Sequence, residues 1–148
     1  MPRGRVLIAE DNLVNQRVAK LQVERLGYAT EVVANGEEAL AALTRLDYAL
    51  VLMDCQMPCM DGYQATRELR LREDGARRTP VIAMTANAFA ADHEACLSAG
   101  MDDYLTKPVD LRSLQQVLNR WASADWAGAG WAGAGWANAG WGVGAVAV

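Results

Sequence analysis

The residues most able to do chemistry are acids that directly follow short apolar runs. Asp54 ends the run 49–53, and the adjacent acids Glu10 and Asp11 end the run 5–9. Short continuous apolar runs of this kind are typical of strands that are buried on both faces of a sheet. A carboxylate placed where a core strand emerges is therefore a candidate for chemistry and not only a turn residue.

Two further apolar runs end in polar residues of other types. Thr85 follows the run 81–84, and Lys107 follows a short run around Tyr104 and Leu105. With the acids they make a set of three carboxylates, one hydroxyl and one ammonium. Carboxylates that share a pocket repel one another, so either their pKa values rise or a cation neutralises them. Because the ligands are all oxygen atoms, Mg²⁺ is the cation that fits best.

This set of residues is suited to phosphoryl transfer. A carboxylate can accept a phosphoryl group covalently as an acyl phosphate, and Asp54 is the natural acceptor because it stands centrally. Thr85 can donate a hydrogen bond to a phosphoryl oxygen, while Lys107 supplies positive charge where negative charge spreads during transfer. The residue types therefore favour covalent phosphorylation of Asp54.

The acids and their partners must be positioned by the elements between them. Residues 13–26 predict an amphipathic helix with apolar side chains at Val14, Val18, Leu21 and Leu26, and Gly27 is its natural stop. Tyr28 opens a second predicted strand, which extends to residue 33.

The helices farther along the chain have recognisable starts and stops. Asn35 is a predicted N-cap with Glu38 three residues on, as in a capping box. The buried stripe of that helix is predicted at Leu40, Leu43 and Leu46. Helices are also predicted over 63–72, over a segment that ends at Gly100, and after the N-cap Asp110 with Leu111, Leu114, Val117, Leu118 and Trp121 at helical spacing.

Five predicted strands thus alternate with five predicted helices. Strict alternation calls for an α/β fold with a doubly wound parallel sheet and helices on both faces. In such sheets ligands bind beyond the carboxyl ends of the strands, where the strand order reverses. The residues expected to meet at that edge are Glu10, Asp11, Asp54, Thr85 and Lys107.

Composition narrows the function classes. The 148 residues suffice for one domain with a full core, which we place at residues 1–123. The net charge of −4 gives no electrostatic case for nucleic-acid binding. Cys55, Cys59 and Cys96 lack the spacing of a zinc site or a redox pair, and are predicted to be buried or half-buried thiols in a reducing compartment. No secretory signal opens the sequence, so the cytoplasm is the expected location.

The motifs together resemble the receiver domain of response regulators. They are the acid pair at 10–11, D-x-x-M-P-x-M-D-G at 54–62, T-A at 85–86 and Y-L-T-K-P at 104–108. The resemblance implies a flavodoxin-like (βα)5 fold with strand order 2-1-3-4-5. The version of the central motif is most like that of receivers in hybrid histidine kinases.

The resemblance also implies roles for particular residues. Asp54 would be the phosphoacceptor, and Thr85 and Lys107 would hold the phosphoryl group. Mg²⁺ would be bound directly by Asp11, Asp54 and the backbone carbonyl of Gln56, and through water by Glu10. The phosphoryl donor would be a histidine kinase or a histidine phosphotransfer protein, and the domain would be a signalling phosphoacceptor, not an enzyme beyond its own phosphorylation and slow dephosphorylation.

A conformational switch follows from the same resemblance. Thr85 would move toward the phosphoryl group and Tyr104 would turn inward, which would change the face made by the fourth helix, the fifth strand and the fifth helix. That face is a possible dimer contact. His93, the only histidine in the sequence, is predicted to lie on the surface.

Two other function classes remain open at this stage. A Mg²⁺-dependent phosphatase with an aspartyl nucleophile would share the carboxylates, although such enzymes usually place a second acid where Gln56 stands. A pseudo-receiver that only binds proteins would not need the intact acid, hydroxyl and lysine set.

The last segment departs from the receiver pattern. Residues 124–148 form a Trp/Gly/Ala tail with tryptophans at 126, 131, 136 and 141. The tail is long enough to cross a membrane, but a span is disfavoured because Leu, Ile and Phe are absent from it. A segment that binds a partner or itself, and a low-complexity extension, are the other interpretations.

Overall fold

A computed structural model describes residues 4–73, 78–86 and 90–122 of the chain. The Trp/Gly/Ala tail lies outside these residues, so the division into a domain and a tail stays a prediction. The strands are β1 (Arg5–Ala9), β2 (Ala29–Val33), β3 (Leu50–Asp54), β4 (Val81–Thr85) and β5 (Asp103–Thr106). The helices are α1 (Leu13–Arg25), α2 (Gly36–Arg45), α3 (Gly62–Arg72), α4 (Ala90–Ala99) and α5 (Leu111–Trp121).

The strands form one parallel sheet in the order β2-β1-β3-β4-β5. This confirms the doubly wound α/β fold and the strand order 2-1-3-4-5. β3 extends one residue farther than its apolar run, because Asp54 itself pairs with Met84 of β4. The acid is therefore the last residue of a central strand and is held by the sheet.

Alternate residues of the strands point to opposite faces of the sheet, and each face has its own core. One core lies under α1 and α5 and includes Val6, Ile8, Leu50, Leu52, Ile82, Met84, Val23 and Leu118. The other lies under α2, α3 and α4 and includes Leu7, Ala9, Val51, Met53, Ala83, Leu40, Leu69 and Cys96. Both faces of the central strands are covered, which explains why their sequences are continuously apolar.

The helix starts are fixed by side-chain caps. The predicted caps are confirmed, since Asn35 accepts a hydrogen bond from the Glu38 amide at 2.9 Å and Asp110 accepts one from the Ser113 amide at 2.7 Å. The carboxylate of Glu38 reaches back to the amide of Ala34, one residue before the cap. The capping box is thus shifted by one residue, because the Glu38 carboxylate accepts the amide of the residue before the N-cap.

The predicted apolar side of α1 is wrong at three of its four positions, since only Leu26 packs against the core. The helix buries Ala19 and Val23, whereas Val14, Val18 and Leu21 are 70%, 45% and 61% exposed. α1 carries two apolar stripes about 100° apart, since neighbouring residues of a helix are rotated by that angle. The stripe that contains the small residue Ala19 packs against the sheet, and the bulkier stripe faces outward.

The predicted stripe of α2 is wrong at its last member. Leu40 is buried as expected, but Leu46 is 41% exposed. Leu46 is the C-cap and its backbone is extended, so helical spacing no longer places its side chain. Ala39 and Ala42 take the buried positions beside Leu40. Among the residues that the structure describes, no helix has the length and apolar character needed to cross a membrane.

Candidate functional site

The acids that follow β1 and β3 lie side by side. The two strands are neighbours in the sheet with Ala9 opposite Met53, so the residues after them emerge together. One carboxylate oxygen from each of Glu10, Asp11 and Asp54 lies within 4.8 Å of the others. The parallel sheet therefore assembles the predicted acid cluster.

Lys107 joins this cluster from the end of β5. Its ammonium lies 2.7 Å from Oε1 of Glu10 and 2.9 Å from Oδ2 of Asp54. The backbone amide of Lys107 donates to the carbonyl of Thr85 at 2.7 Å, which ties the residue to the end of β4. The peptide bond between Lys107 and Pro108 is cis.

Burial and the neighbouring negative charges shift the pKa of Lys107 in opposite directions. Burial by itself would lower the pKa of Lys107, because it disfavours the charged ammonium. The hydrogen bonds and negative charges of Glu10 and Asp54 outweigh burial, and the pKa of Lys107 lies above its usual value. The ammonium therefore stays protonated between the two carboxylates at neutral pH.

The two acids of the pair after β1 have different surroundings. Glu10 is 1% exposed, and its Oε2 accepts the amide of Asn12 at 3.0 Å while Lys107 contacts Oε1. Asp11 is exposed to solvent. Glu10 is thus held within the chain by both of its oxygens, and Asp11 is open to an incoming group.

A small cleft of about 130 Å³ opens beside Asp54. Its lining residues are Asp54, Cys55, Gln56, Tyr63, Met84, Thr85, Ala86 and Lys107. The acceptor, hydroxyl and lysine predicted from the sequence thus share one cleft. Sequence reasoning missed Tyr63 as a lining residue, although its place in the first turn of α3 could have indicated it, because that turn starts at the same edge of the sheet.

Gly62 is required by the close approach of α3 to β3. A Cβ atom at this position would clash with the backbone carbonyl oxygen of Asp54. The amide of Gly62 also donates to the carbonyl of Cys55 at 3.2 Å. The Asp61-Gly62 pair therefore does more than form a turn, since Asp61 caps α3 and Gly62 lets the helix begin against β3.

A family model for the response regulator receiver domain matches residues 6–119. The chain belongs to the receiver domain family. This confirms the resemblance drawn from the acid pair and the three downstream motifs.

Known relatives place this receiver close to those of hybrid kinases. The chain is 44% identical over 124 residues to the hybrid signal transduction protein dokA of Dictyostelium discoideum, covering 84% of this chain and 7% of that protein. It is 43% identical over 119 residues to the sensor histidine kinase GacS of Pseudomonas protegens, covering 79% of the chain and 13% of that protein. The likeness thus concerns one domain of much larger proteins.

Among solved structures, a receiver domain of a Pseudomonas aeruginosa sensor histidine kinase is similar. It shares 48% identity with a TM-score of 0.74, covering 80% of this chain and 97% of that one, and its magnesium ion is coordinated in the active-site cleft. A receiver domain from Saccharomyces cerevisiae, solved in complex with a histidine phosphotransfer protein, shares 31% identity. Its TM-score is 0.76, and the match covers 82% of this chain and 90% of that one.

The acid cluster of this receiver fits a hard divalent cation. Among the described residues, three carboxylates meet one ammonium at this edge of the sheet, so negative charge remains in excess. Oxygen atoms are the ligands that Mg²⁺ prefers. The residues present are therefore suitable for the ion that the sequence predicts.

Tyr104 does not line the cleft of this receiver. It lies on β5 beside a separate groove against α5, and its ring stacks on His93 of α4 with centroids 4.0 Å apart. The prediction that His93 is a surface residue is only half right, since the side chain is half-buried in this contact. Whether Tyr104 turns inward on phosphorylation stays a prediction.

Two of the three cysteines lie in the core on one face of β3. Cys55 and Cys96 are buried as predicted, whereas Cys59 is exposed with a left-handed φ of 68°. The neighbouring Cys96 thiol and burial raise the pKa of Cys55 well above its usual value. Burial and the contact with Cys55 likewise raise the pKa of the Tyr63 hydroxyl. Cys55 therefore remains a protonated thiol at neutral pH.

Proposed function

We propose that this receiver takes a phosphoryl group from a phosphohistidine onto Asp54 and that phosphorylation switches a protein-binding surface. The observation that carries the proposal is the bridge of Lys107 between Glu10 and Asp54, in a cleft that also contains Thr85. A pure binding module would have no need for a buried acid, a hydroxyl and an ammonium at one strand edge.

In the transfer step a carboxylate oxygen of Asp54 forms a bond to phosphorus. The bond between phosphorus and the donor's imidazole nitrogen breaks, and that nitrogen keeps the electron pair. The product is an acyl phosphate on Asp54, one of the recognised outcomes of aspartate as a nucleophile. Asp54 is suited to this because β3 holds its backbone and the Gln56 amide donates to its Oδ1 at 3.2 Å.

The other site residues stabilise the phosphoryl group. The Lys107 ammonium can leave its ion pair with Asp54 for a phosphoryl oxygen, and the Thr85 hydroxyl can donate to another. Mg²⁺, held by Asp11, Asp54 and the Gln56 carbonyl and through water by Glu10, would supply positive charge to the phosphoryl oxygens. The domain itself would then catalyse only its own phosphorylation and slow hydrolysis.

The donor is proposed to be a histidine kinase or a histidine phosphotransfer protein. The similarity to a receiver solved with a phosphotransfer protein supports this. Exposed Leu13 and Val14 follow Asp11 by two and three residues, so apolar surface adjoins the cleft where a protein donor would approach. A cytoplasmic location would suit the buried free thiols Cys55 and Cys96.

The output of the switch is proposed to be the face made by α4, β5 and α5. A phosphoryl group adds close to two negative charges beside Thr85, and a shift of that residue would change the space available to Tyr104. The contact of Tyr104 with His93 links β5 to α4, so a turn of the tyrosine would disturb both elements. This face would bind a protein partner or a second copy of the receiver.

The test is phosphorylation by a radiolabelled small acyl phosphate with Mg²⁺. We expect wild type to be labelled and Asp54→Asn to be unlabelled. Asp61→Asn is the matched control, because it lies in the same loop and asparagine caps a helix as well as aspartate does. Equal labelling of Asp54→Asn and wild type would disprove the mechanism.

A further inference from the structure

The side chain of Gln16 holds the turn that carries the acid pair. Gln16 lies in the first turn of α1, and its side-chain amide nitrogen donates to the backbone carbonyl of Glu10 at 2.6 Å. Its backbone amide donates to the carbonyl of Asn12, the N-cap of the helix, at 2.9 Å. Both bonds end on the turn between β1 and α1, so Gln16 closes this turn from the helix side.

The bond from Gln16 to Glu10 fixes the backbone of Asp11. The carbonyl of Glu10 belongs to the same planar peptide group as the amide of Asp11. A donor on that carbonyl therefore sets the plane from which Asp11 projects. Because Asp11 is exposed, whereas Glu10 is buried, the direction of the Asp11 carboxylate depends on that backbone.

The other contacts of this turn act on Glu10. Its backbone amide donates to the carbonyl of Val33 on β2 at 3.0 Å, and its Oε2 accepts the amide of Asn12 at 3.0 Å. Its Oε1 contacts Lys107. These contacts anchor the strand side of the turn, whereas the Gln16 bond acts on the peptide group that joins the two acids.

Glutamine has the length and the charge that this position needs. Side chains of a helix lean toward its N-terminus, so a long side chain in the first turn reaches back over the turn before it. The target is a carbonyl oxygen, so the side chain must donate, which an ionised glutamate cannot do. A lysine or arginine could donate, but its positive charge would oppose the helix dipole and repel a cation at the acid cluster. A long neutral donor leaves the negative charge of the cluster intact.

Gln22 makes a comparable bond farther along α1. Its side-chain amide donates to the backbone carbonyl of Val109 at 3.0 Å. Both glutamines are half-buried, and each joins α1 to a neighbouring loop. Val109 precedes α5, so Gln22 holds a different loop from the one that carries the acid pair. The two residues therefore make the same kind of bond and differ in the loop that they hold.

We propose that Gln16 is a positioning residue for the cation site. It holds the peptide group between Glu10 and Asp11, and so keeps an oxygen of the Asp11 carboxylate within 4.8 Å of oxygens of Glu10 and Asp54. Asp11 is then already in place when a cation arrives, and its ordering does not have to be compensated by binding. This proposal rests on the proposed function in one respect, namely that Asp11 is a ligand of Mg²⁺.

The test compares two variants of the full chain, Gln16→Met and Gln22→Met. Methionine keeps the length and the helix propensity of glutamine but removes the amide. Isothermal titration calorimetry measures Mg²⁺ binding, and the nitrogen-15 heteronuclear NOE of the Asp11 amide measures backbone order in the metal-free protein. Urea unfolding compares the loss of stability in the two variants.

We expect Gln16→Met to raise the dissociation constant of Mg²⁺ about tenfold, at the lower end of the range for partners that orient metal ligands. The heteronuclear NOE of Asp11 should fall in the metal-free variant. Gln22→Met should stay within about twofold of the wild-type affinity, because it acts on a separate loop. Unchanged Mg²⁺ binding in Gln16→Met would overturn the proposal, and so would equal weakening in the two variants.

A third variant separates position from charge. Gln16→Glu removes the donor, as methionine does, but adds a negative charge near the acid pair, which by itself would tighten Mg²⁺ binding. We expect binding to be weaker than in wild type, because the peptide group between Glu10 and Asp11 is no longer held. Binding as tight as in wild type would show that charge and not position sets the affinity, and would overturn the proposal.

The Mg²⁺ dependence of phosphorylation separates this role from general damage to the domain. With a small acyl phosphate as donor, Gln16→Met should need about tenfold more Mg²⁺ for half-maximal labelling and should reach the wild-type rate at saturating Mg²⁺. A rate that Mg²⁺ does not restore would overturn the positioning role. Wild type that binds no Mg²⁺ would overturn this proposal together with the cation site. Wild type that binds Mg²⁺ but takes no label would count against phosphotransfer to Asp54 alone, because the binding comparison would still decide the role of Gln16.

Discussion

The two edges of the sheet both hold buried aspartates, but they treat them in opposite ways. At the carboxyl ends of the strands, Asp54 shares one lysine with Glu10 while Asp11 stands nearby. At the opposite ends of the strands, Asp102, which precedes β5, contacts both Arg70 and Arg78. Among the described residues, three carboxylates at the carboxyl ends share one cationic side chain, whereas at the other ends Asp102 and Glu73 share two.

Asp102 is fully satisfied by the chain. Its Oδ2 accepts Arg70 and the backbone amide of Val81, both at 2.8 Å, and its Oδ1 accepts Arg78 at 2.6 Å. Arg70 in turn contacts Glu73 at 2.7 Å and the carbonyl of Gly100 at 2.9 Å. The network ties the end of α3, the start of β4 and the end of α4 together.

The difference shows what makes a buried carboxylate available for chemistry. A group whose lone pairs are all filled by fixed donors stabilises the fold but has nothing left to bind a ligand. The excess of carboxylates over cations at the carboxyl ends of the strands costs stability unless a bound cation compensates it. The number of cationic side chains for each carboxylate is what differs between the two sites.

The largest difference is expected when aspartate is replaced by asparagine at each of the two sites, Asp102 and Asp54. Asp102→Asn leaves the half-buried Arg70 and Arg78 beside a neutral group and should lower the free energy of unfolding by about 3–5 kcal/mol. Asp54→Asn relieves repulsion and leaves Lys107 paired with Glu10, so without Mg²⁺ its stability should be within about 1 kcal/mol of wild type or higher. Urea unfolding of both proteins measures this, and equal losses would show that the two edges do not differ.

Cation binding should stabilise one edge only. Mg²⁺ at about 100 times its dissociation constant should add about 2.7 kcal/mol to the free energy of unfolding, because it binds the folded state alone. Asp11→Asn should weaken this gain, since it removes the negative charge of the exposed carboxylate in the cluster. Thermal unfolding with and without Mg²⁺ tests the effect. A full gain in Asp11→Asn would place the ion elsewhere.

The geometry of the network around Asp102 can be tested without changing its net charge. Arg70→Lys keeps the cation but loses the planar fork that contacts Asp102, Glu73 and Gly100 at once. We expect a loss of about 1–2 kcal/mol in chemical unfolding. Arg67→Lys is the control, because Arg67 lies exposed on the same helix. An equal change in both variants would mean that the fork has no special role.

The smallest expected effect on stability concerns Glu31, a partly exposed acid on β2. Glu31 accepts the Tyr48 hydroxyl at 2.6 Å and Arg45 at 2.8 Å, and these contacts hold the pKa of Glu31 below its usual 4.5. Burial, with the contact to Glu31, raises the pKa of Tyr48 to about 12, so the hydroxyl remains a donor. Because the folded pKa is lowered, the stabilisation is present above pH 4.5 and is lost as the pH falls through the folded value.

Tyr48→Phe should therefore make the acid limb of the stability curve shallower by a few tenths of a kcal/mol. At pH 7 the variant should lose a similar amount relative to wild type. The measurement is urea unfolding at a series of pH values, with Tyr28→Phe as a second buried tyrosine for comparison. An acid limb as steep as that of wild type would show that Glu31 owes its shift to Arg45 alone.

The sequence predicted the parts of the site that depend on local pattern. Asp54, Thr85 and Lys107 were found because each follows an apolar run, and Asn35 and Asp110 because caps act over three residues. Val14, Val18 and Leu21 were wrongly predicted to form the core-facing side of α1, because the helix has two apolar stripes. Only packing against the sheet decides which stripe is buried, and the small side chain of Ala19 allows the closer approach.

The sequence by itself determined which residue types stand at the strand ends and that five parallel strands would gather them at one edge. Tertiary structure alone decided which carboxylates receive donors. Arg70 and Asp102 are 32 residues apart, and their contact depends on how α3 and β5 meet. Because charge compensation is a property of such distant pairs, the pattern of the chain predicts where an acid lies, and the fold decides whether it is neutralised.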